Sequence, residues 1–413
     1  MLGRLSFLVV VAIGMGSLPA RSQPAPSLPA PDPVQQAITS VKRLLEKRPD
    51  DPTVHFYLAS FHAQAGERDI ALASLGKVLE LGDGFLPGNH FGFDKLQGDP
   101  EFPKLRAAFE SRLAVIANAP VAFRVEDKTF GPEGIAYDPK SKHFFMGSVS
   151  QRRLVRISAS GKIAPFSRPG DELQQVLGVA VDGKRRLVYA VSTNALNNAK
   201  PPHNSVFAFD IASGKRLREY RVPQAGQLND VAIAPNGDLY ATDSRSGAVW
   251  RITTGQSETV TPFVPAGALG GSNGITFSAD GKMLYVAHSM GVVRVDVASG
   301  KLERLAPPAR QTVAGIDGLY LWKGDLIGIQ NLTNPGRMIR MKLNTAGTEI
   351  TQVETLQSHH NPAFSLPTTG ALAGNAVYVI GTTDLPRYND KGELENTGEL
   401  KTPLVVRVPL GKG

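Results

Sequence analysis

The spacing of apolar and polar positions changes once along the chain. From about Val34 to Asn118, apolar residues recur at helical intervals, and from Ala119 onward they alternate with polar residues as in β-strands. Asp50-Asp51-Pro52 is typical of one helix ending and the next beginning. The pattern therefore predicts a helical region over residues 34–118, followed by a β domain over residues 119–413.

The β domain repeats one short pattern six times. Each copy has an inner-strand start, usually with a polar residue beside a glycine, and then an alternating run, a turn and a second apolar run. The copies follow one another at intervals of 44 or 52 residues. Strand-like units with a period of about 40–50 residues are the signature of a β-propeller. They begin at Glu133-Gly134, Leu177-Gly178, Asn229-Asp230, Asn273-Gly274, Asp317-Gly318 and Thr369-Gly370.

The two ends of the repeat series indicate how the ring closes. The sixth unit has no outermost strand, whereas a strand at Val121–Val125 follows no earlier blade. If Val121–Val125 completes the last blade, no strand edge is left open there. We therefore predict a mainly β protein, a six-bladed propeller with four-stranded blades, preceded by a small α-helical region.

The helical region resembles a tetratricopeptide repeat. One or two such repeats are too few for a long binding groove. The region is therefore interpreted either as a small cap docked on the propeller or as a site for a protein partner. The residues that carry the resemblance are Tyr57, Leu58, Phe61, Gly66, Ala71 and Leu72.

Composition restricts the location and the partners. The 413 residues contain no cysteine, which excludes disulfides and thiolate metal sites. The net charge of +8 is scattered rather than gathered in a stripe with aromatic residues, so no nucleic-acid partner is expected.

Residues 1–22 have the pattern of a signal peptide and residues 23–33 that of a Pro/Ala-rich linker. We expect a periplasmic or secreted protein with no membrane attachment after cleavage.

Four of the six repeats carry a carboxylate or an amide at the same point. Radial repetition should bring Glu133, Asn229, Asn273 and Asp317 to one mouth of the central tunnel. Two carboxylates and two amide oxygens suit a hard divalent cation, and Ca²⁺ better than Mg²⁺, although another divalent cation is possible. The alternative is that these polar residues only cap the inner strands.

The same motifs resemble the signature of the gluconolactonase/regucalcin (senescence marker protein) family. They are Gly131-Pro132-Glu133-Gly134, Leu228-Asn229-Asp230, Ser272-Asn273-Gly274-Ile275 and Ile316-Asp317-Gly318. The resemblance implies a six-bladed propeller with Ca²⁺ at the tunnel mouth and hydrolysis of lactones or related esters.

Carried over to this chain, the resemblance implies that Glu133, Asn273 and Asp317 are metal ligands and that Asn229 is a ligand or a substrate contact. Asp317 and Asn229 are then the catalytic candidates, with Asp317 either activating water or attacking directly. Sugar-lactone members tend to have an arginine where this chain has Gln227. Gln227 and Asn229 are therefore expected to bind a neutral or more apolar substrate.

Histidines on loops at the mouth face are candidate proton shuttles. His359 and His360 lie on the loop that enters the sixth inner strand, and His288 and His203 lie on other loops of that face. A surface position without a catalytic role is the alternative for each.

The predicted function is a calcium-dependent hydrolase that acts on a small-molecule lactone or ester. The alternative from another class is a non-catalytic propeller with a structural metal and a protein partner on the helical region. A quinoprotein sugar dehydrogenase is a third and weaker interpretation.

Overall fold

A computed structural model describes residues 32–88, 92–197, 201–255, 257–334, 336–385 and 400–411. The predicted signal peptide and nearly all of the predicted linker lie outside these residues. In the described part of the chain, no helix is both long and apolar enough to cross a membrane.

Among the described residues, four α-helices precede the propeller. The Asp51 carboxylate accepts a hydrogen bond from Thr53 N and caps the second helix, which ends at Gly66 in the left-handed region (φ +80°). Both signals were readable in the sequence. The helices are α1 (Pro33–Lys47), α2 (Pro52–Ala65), α3 (Arg68–Leu81) and α4 (Phe102–Glu110), and short 3₁₀ turns occupy Asp94–Leu96, Pro169–Asp171 and Ala195–Asn197.

The β domain is a six-bladed propeller of four-stranded antiparallel sheets, as predicted. Blade one contains β2 (Pro132–Asp138), β3 (His143–Ser148), β4 (Arg153–Ile157) and β5 (Ile163–Pro165). Blade two contains β6 (Gln175–Asp182), β7 (Leu187–Thr193), β8 (Asn204–Asp210) and β9 (Arg216–Arg221). Blade three contains β10 (Leu228–Ile233), β11 (Leu239–Asp243), β12 (Ala248–Ile252) and β13 (Val260–Val264).

The remaining blades follow the same order from the axis outward. Blade four contains β14 (Ile275–Phe277), β15 (Met283–His288), β16 (Gly291–Asp296) and β17 (Leu302–Leu305). Blade five contains β18 (Ile316–Trp322), β19 (Asp325–Gln330), β20 (Arg337–Leu343) and β21 (Ile350–Ser358). Blade six contains β22 (Gly370–Ala373), β23 (Ala376–Thr382), β24 (Leu404–Pro409) and, outermost, β1 (Val121–Arg124).

The β1–β24 pair closes the ring. β1 runs antiparallel to β24, with Phe123 opposite Val405. Phe123 is buried with Phe144 of blade one and Val405 of blade six. The predicted completion of the last blade by this strand is confirmed.

Buried apolar residues fill the space between neighbouring blades. One cluster joins blades two and three around Tyr189 and Trp250, and the other five blade interfaces each have a comparable cluster. A bidentate ion pair adds a polar link, because Arg186 donates to both carboxylate oxygens of Asp138 at 2.7 and 2.8 Å. The core is thus divided among six radial interfaces.

The helical region packs against the mouth-face loops of blades four and five. Tyr57 of α2 donates its hydroxyl hydrogen to the Ser289 carbonyl at 2.9 Å, and Leu86 N donates to the Thr333 carbonyl at 2.9 Å. Met290, on the same loop as Ser289, packs among buried residues of α1 and α2. The helices are therefore held against one side of the mouth face.

Ring closure can be tested with two substitutions on β1. Phe123→Ala is expected to lower the free energy of unfolding by about 3–5 kcal/mol, because it removes a buried ring between the first and last blades. Val121→Ala, on the same strand but 37% exposed, should change it by less than about 0.5 kcal/mol. Urea denaturation followed by circular dichroism measures both, and equal effects would contradict a closing role for Phe123.

Candidate metal centre

The four predicted residues lie at or just before the start of inner strands. Glu133, Asn229 and Asp317 are each the second residue of their strand, and Asn273 precedes β14 by two residues. The exposed fraction of the first three is 6–8%. They come from blades one, three, four and five, so the propeller geometry is what gathers them on one side of the ring.

A β-bulge distorts the inner strand at this point in four blades. The strand register is irregular at 132/135, 176/179, 228/231 and 316/319. A bulge re-aims side chains and is common beside functional sites. Here it falls where the polar residue and the glycine stand, so strict alternation cannot predict which side chains face the axis.

The repeated glycines allow close packing of adjacent inner strands. A Cβ on Gly134 would lie 1.9 Å from the Leu177 carbonyl oxygen, and one on Gly274 would lie 2.3 Å from the Asp317 carbonyl oxygen. Any larger residue would push the strands apart. Glycine beside the polar residue is therefore required at these two positions for the inner strands to pack closely around the axis.

Two amide side chains lie beside the Asp317 carboxyl group. Asn331 Nδ2 donates to its Oδ2 at 2.6 Å and also to the Pro367 carbonyl at 2.9 Å. The Asn273 side chain lies close enough to the Asp317 carboxyl to lower its pKa, as a hydrogen-bond donor does. Asn331 thus fixes the carboxyl group, and Asn273 lies beside it.

Three oxygen atoms in this group are buried without a hydrogen-bond partner among the described residues. They are Glu133 Oε2, Asn273 Oδ1 and Asp317 Oδ1. A buried acceptor without a partner is unfavourable and rare in native proteins. Three such hard oxygens in one cluster, two of them on carboxyl groups, form a donor set that suits a divalent cation.

Burial raises the pKa values of the acids in this cluster, and neighbouring negative charges add to the shift of Glu133. Burial raises the pKa of Glu133 well above its usual range, and the negative charges of Asp317 and Asp230 add to the shift. Burial also raises the pKa of Asp317 to about 6, despite the hydrogen bonds from Asn331 and Asn273 that oppose the shift. The arrangement is thus unfavourable for ionised carboxylates unless a positive charge is present.

Asp230 and Tyr320 belong to the cluster but were not predicted from the sequence. Burial raises the pKa of Asp230 to about 7, with a further contribution from the charge of Asp317. Tyr320 Oη accepts a hydrogen bond from Gly370 N at 2.5 Å, and its pKa is raised by burial and then by the Asp230 charge. Asp230 follows Asn229 in the repeated motif, so the motif itself was the available signal.

Asn229 and Gln227 lie at the start of the third inner strand. Asn229 Nδ2 donates to Ser244 Oγ at 2.8 Å, which leaves its Oδ1 as the end of the amide that can serve as a ligand. Gln227 is half-buried, and its backbone N donates to Asp243 Oδ1 at 2.9 Å. The structure therefore orients the Asn229 amide and fixes the Gln227 backbone beside it.

The four candidate proton shuttles have partners outside this cluster. His359 Nε2 and His360 Nε2 lie 2.8 and 3.0 Å from Oε1 of Glu110, in the helical region. His203 Nε2 lies 3.2 Å from an oxygen of Glu219 on β9, the outermost strand of its blade.

His288 is enclosed where the helices meet blade four, and burial lowers its pKa to about 4. Among the described residues, none of the four histidines forms a hydrogen bond or an ion pair with Glu133, Asn273 or Asp317.

Comparisons with known proteins agree with the fold and the repeated motifs. Residues 131–323 match the family model described as SMP-30/Gluconolactonase/LRE-like region, which confirms the resemblance that the motifs indicated. No curated protein sequence matches the chain.

Solved structures of six-bladed type are similar at low sequence identity. A regucalcin from Agrobacterium tumefaciens strain C58, described as a calcium-binding protein, is 18% identical, with a TM-score of 0.50 over 72% of this chain and 95% of that one. A gluconolactonase from Xanthomonas campestris is 15% identical, with a TM-score of 0.47 over 72% of this chain and 98% of that one. At this level of identity the likeness concerns the fold.

The raised pKa values predict how stability depends on pH. In protein freed of divalent cations, the melting temperature should fall by several degrees between pH 5 and pH 8. Asp317 and Asp230 have pKa values of about 6 and about 7 in the folded protein, above roughly 3.9 in an unfolded chain. Such groups favour the folded state when protonated, so this contribution is lost as pH rises through their folded-state pKa values.

Two variants separate this effect from other titrations. Asp317→Asn should weaken the pH dependence, since it removes one of the repelling charges. Asp280→Asn is the matched control, because the Ser278 hydroxyl lowers the pKa of Asp280 and this exposed acid titrates below pH 5. The melting temperature is measured as a function of pH by differential scanning fluorimetry in the presence of chelator. Identical profiles for Asp317→Asn and the unmodified protein would contradict the assignment of this pH dependence to Asp317.

Proposed function

We propose that this protein is a divalent-cation-dependent hydrolase of the gluconolactonase-like type, acting on a lactone or ester at the tunnel mouth. The observation that carries the proposal is the set of three buried oxygens without hydrogen-bond partners, on Glu133, Asn273 and Asp317. The three oxygens come from three different blades. Capping of a single inner strand therefore does not explain why all three are buried without hydrogen-bond partners.

Calcium is the proposed cation. All the donors are hard oxygens, and the amide of Asn229 can add a fourth. Ca²⁺ accepts flexible geometry and a larger number of ligands, whereas Mg²⁺ requires near-octahedral coordination at shorter distances. The pKa of Glu133 is raised by burial and then by the negative charges of Asp317 and Asp230, and a cation would offset both effects. The regucalcin of similar fold is described as calcium-binding, which agrees with this choice.

The bound cation would supply Lewis-acid polarisation of the substrate carbonyl and stabilise the oxyanion. Asp317 would activate water or attack the carbonyl directly. Because Asn331 occupies its Oδ2, Oδ1 is the oxygen available for ligation or for a proton. Asn331 and Asn273 would act by holding this carboxyl group in place.

The remaining residues of the mouth would position the substrate. Asn229, fixed through Ser244, would contact the substrate or the cation. Gln227 offers a neutral amide where related sugar lactonases tend to have arginine, so an uncharged or more apolar lactone or ester is proposed. An exported location, periplasmic or secreted, is part of the same proposal and is supported by the pattern of residues 1–22.

Turnover can be tested with a panel of neutral lactones, acidic sugar lactones and aryl esters, each with added Ca²⁺ or with chelator. Hydrolysis is expected only with the cation and to be faster for neutral substrates. Asp317→Asn should lower kcat/KM by about 100-fold or more, as expected for loss of a group that handles a proton in the transition state.

Asp280→Asn, in a surface turn of blade four, is the control and should retain full activity. Circular dichroism would establish that both variants are folded, and calorimetry would measure their Ca²⁺ affinity. Calcium binding without turnover on any substrate would overturn the catalytic proposal and favour the non-catalytic propeller with a structural metal.

A further inference from the structure

Three side chains meet where the helical region touches the outer edge of blade five. Glu110 is the last residue of α4, and His359 and His360 directly follow β21. Glu110 Oε1 lies 2.8 Å from His359 Nε2 and 3.0 Å from His360 Nε2. The two imidazole rings lie with their centroids 4.3 Å apart. Two parts of the chain almost 250 residues apart thus contribute to one group.

Ser358 is placed to orient the ring of His360. Ser358 Oγ accepts a hydrogen bond from Ile116 N at 3.1 Å and can donate its single hydrogen to the Ile116 carbonyl at 3.0 Å. It also lies 2.9 Å from His360 Nδ1. When the hydroxyl donates to Ile116, this contact is a hydrogen bond donated by Nδ1, and Nε2 of the neutral ring carries a lone pair.

That lone pair faces a carboxylate oxygen at 3.0 Å. Two acceptors at this distance repel each other unless a proton or a metal cation lies between them. Histidine ligands in metal sites usually donate a hydrogen bond from the other ring nitrogen, and Ser358 Oγ is placed to accept one from His360 Nδ1. We propose that Glu110, His359 and His360 form a binding site for a divalent transition-metal ion, with Zn²⁺ as the reference ion.

The donor set and its surroundings fit such an ion. Two imidazole nitrogens and one carboxylate oxygen are common zinc ligands, unlike the hard-oxygen set at the tunnel mouth. Bonds of ~2.0–2.1 Å at tetrahedral angles place ligand atoms about 3.3 Å apart, so the two nitrogen–oxygen distances of 2.8 and 3.0 Å would lengthen by only a few tenths of an ångström. All three ligand atoms lie within 4.8 Å of one another. Side-chain exposures of 17%, 24% and 30% leave one side open for water as a fourth ligand.

Two neighbouring features set the relative strength of the ligands. Arg106 lies 3.8 Å from Glu110 Oε2 and leaves Oε1 to the metal. His359 Nδ1 is buried without a hydrogen-bond partner among the described residues, so its hydrogen is poorly placed when Nε2 binds a metal. His360 should therefore be the stronger of the two histidine ligands.

Metal binding here would fasten the helical region to the propeller. The segment that leaves α4 already reaches blade five through Ile116 and Ser358. An ion held by Glu110 on one side and by two histidines on the other adds a cross-link at the same edge. Its binding free energy would add to the stability of the docked arrangement.

The test uses the full chain, stripped of metal and then held in excess Ca²⁺ so that the tunnel mouth is occupied. Zn²⁺ titration at pH 7.5 against a competing chromophoric chelator should reveal one site. Affinity should fall about 100-fold or more in Glu110→Gln and His360→Ala, and less in His359→Ala. Ser358→Ala, which removes the orienting hydroxyl, should cost about 10–100-fold.

His55→Ala, a histidine of α2 outside the cluster, is the matched control and should leave Zn²⁺ affinity unchanged. Asp317→Asn should also leave it unchanged, which keeps this outcome independent of the proposed hydrolase. Circular dichroism without metal would show that each variant is folded. Absence of a Zn²⁺ site in the unmodified protein would overturn the proposal. So would a Zn²⁺ affinity in Glu110→Gln and His360→Ala equal to that of the unmodified protein.

Discussion

The close approach of six inner strands around one axis is the constraint on which the structure depends. Adjacent inner strands touch where Gly134, Gly178 and Gly274 stand, and a side chain at these points would meet a neighbouring backbone or carboxylate within 2.5 Å. This crowding is what brings residues from distant parts of the chain within reach of one another. The same geometry removes water from Glu133 and Asp317 and so makes their charges interact strongly. The fold and the chemistry of the mouth therefore have one physical origin.

Much of the fold could be predicted because it is periodic. The repeat interval gave the number of blades, and the strand Val121–Val125, which had no blade of its own, gave the closure. The capping residue Asp51 likewise lies where Asp50-Asp51-Pro52 predicts one helix to end and the next to begin.

The site was only partly predictable, for reasons that are local. The four polar residues stand at equivalent repeat positions, so comparing repeats was enough to select them. Asp230 and Tyr320 were missed because the bulges at 228/231 and 316/319 break the alternation that assigns faces. Asn331 was missed because it lies directly after β19, outside the repeated motif. The pairing of His359 and His360 with Glu110 depends on how the helices dock, which no periodic signal encodes.

The pairing of β1 with β24 also has a consequence for the order of folding. The two strands join residue 121 to residue 406, so this contact spans nearly the whole β domain. Blades one to five consist of neighbouring hairpins and can form early, whereas contacts between such distant segments are slow to form. Until they form, β24 presents a free strand edge on which another chain can pair. Newly made protein should therefore be most prone to aggregation just before its ring closes, and the docking of β1 should end that period.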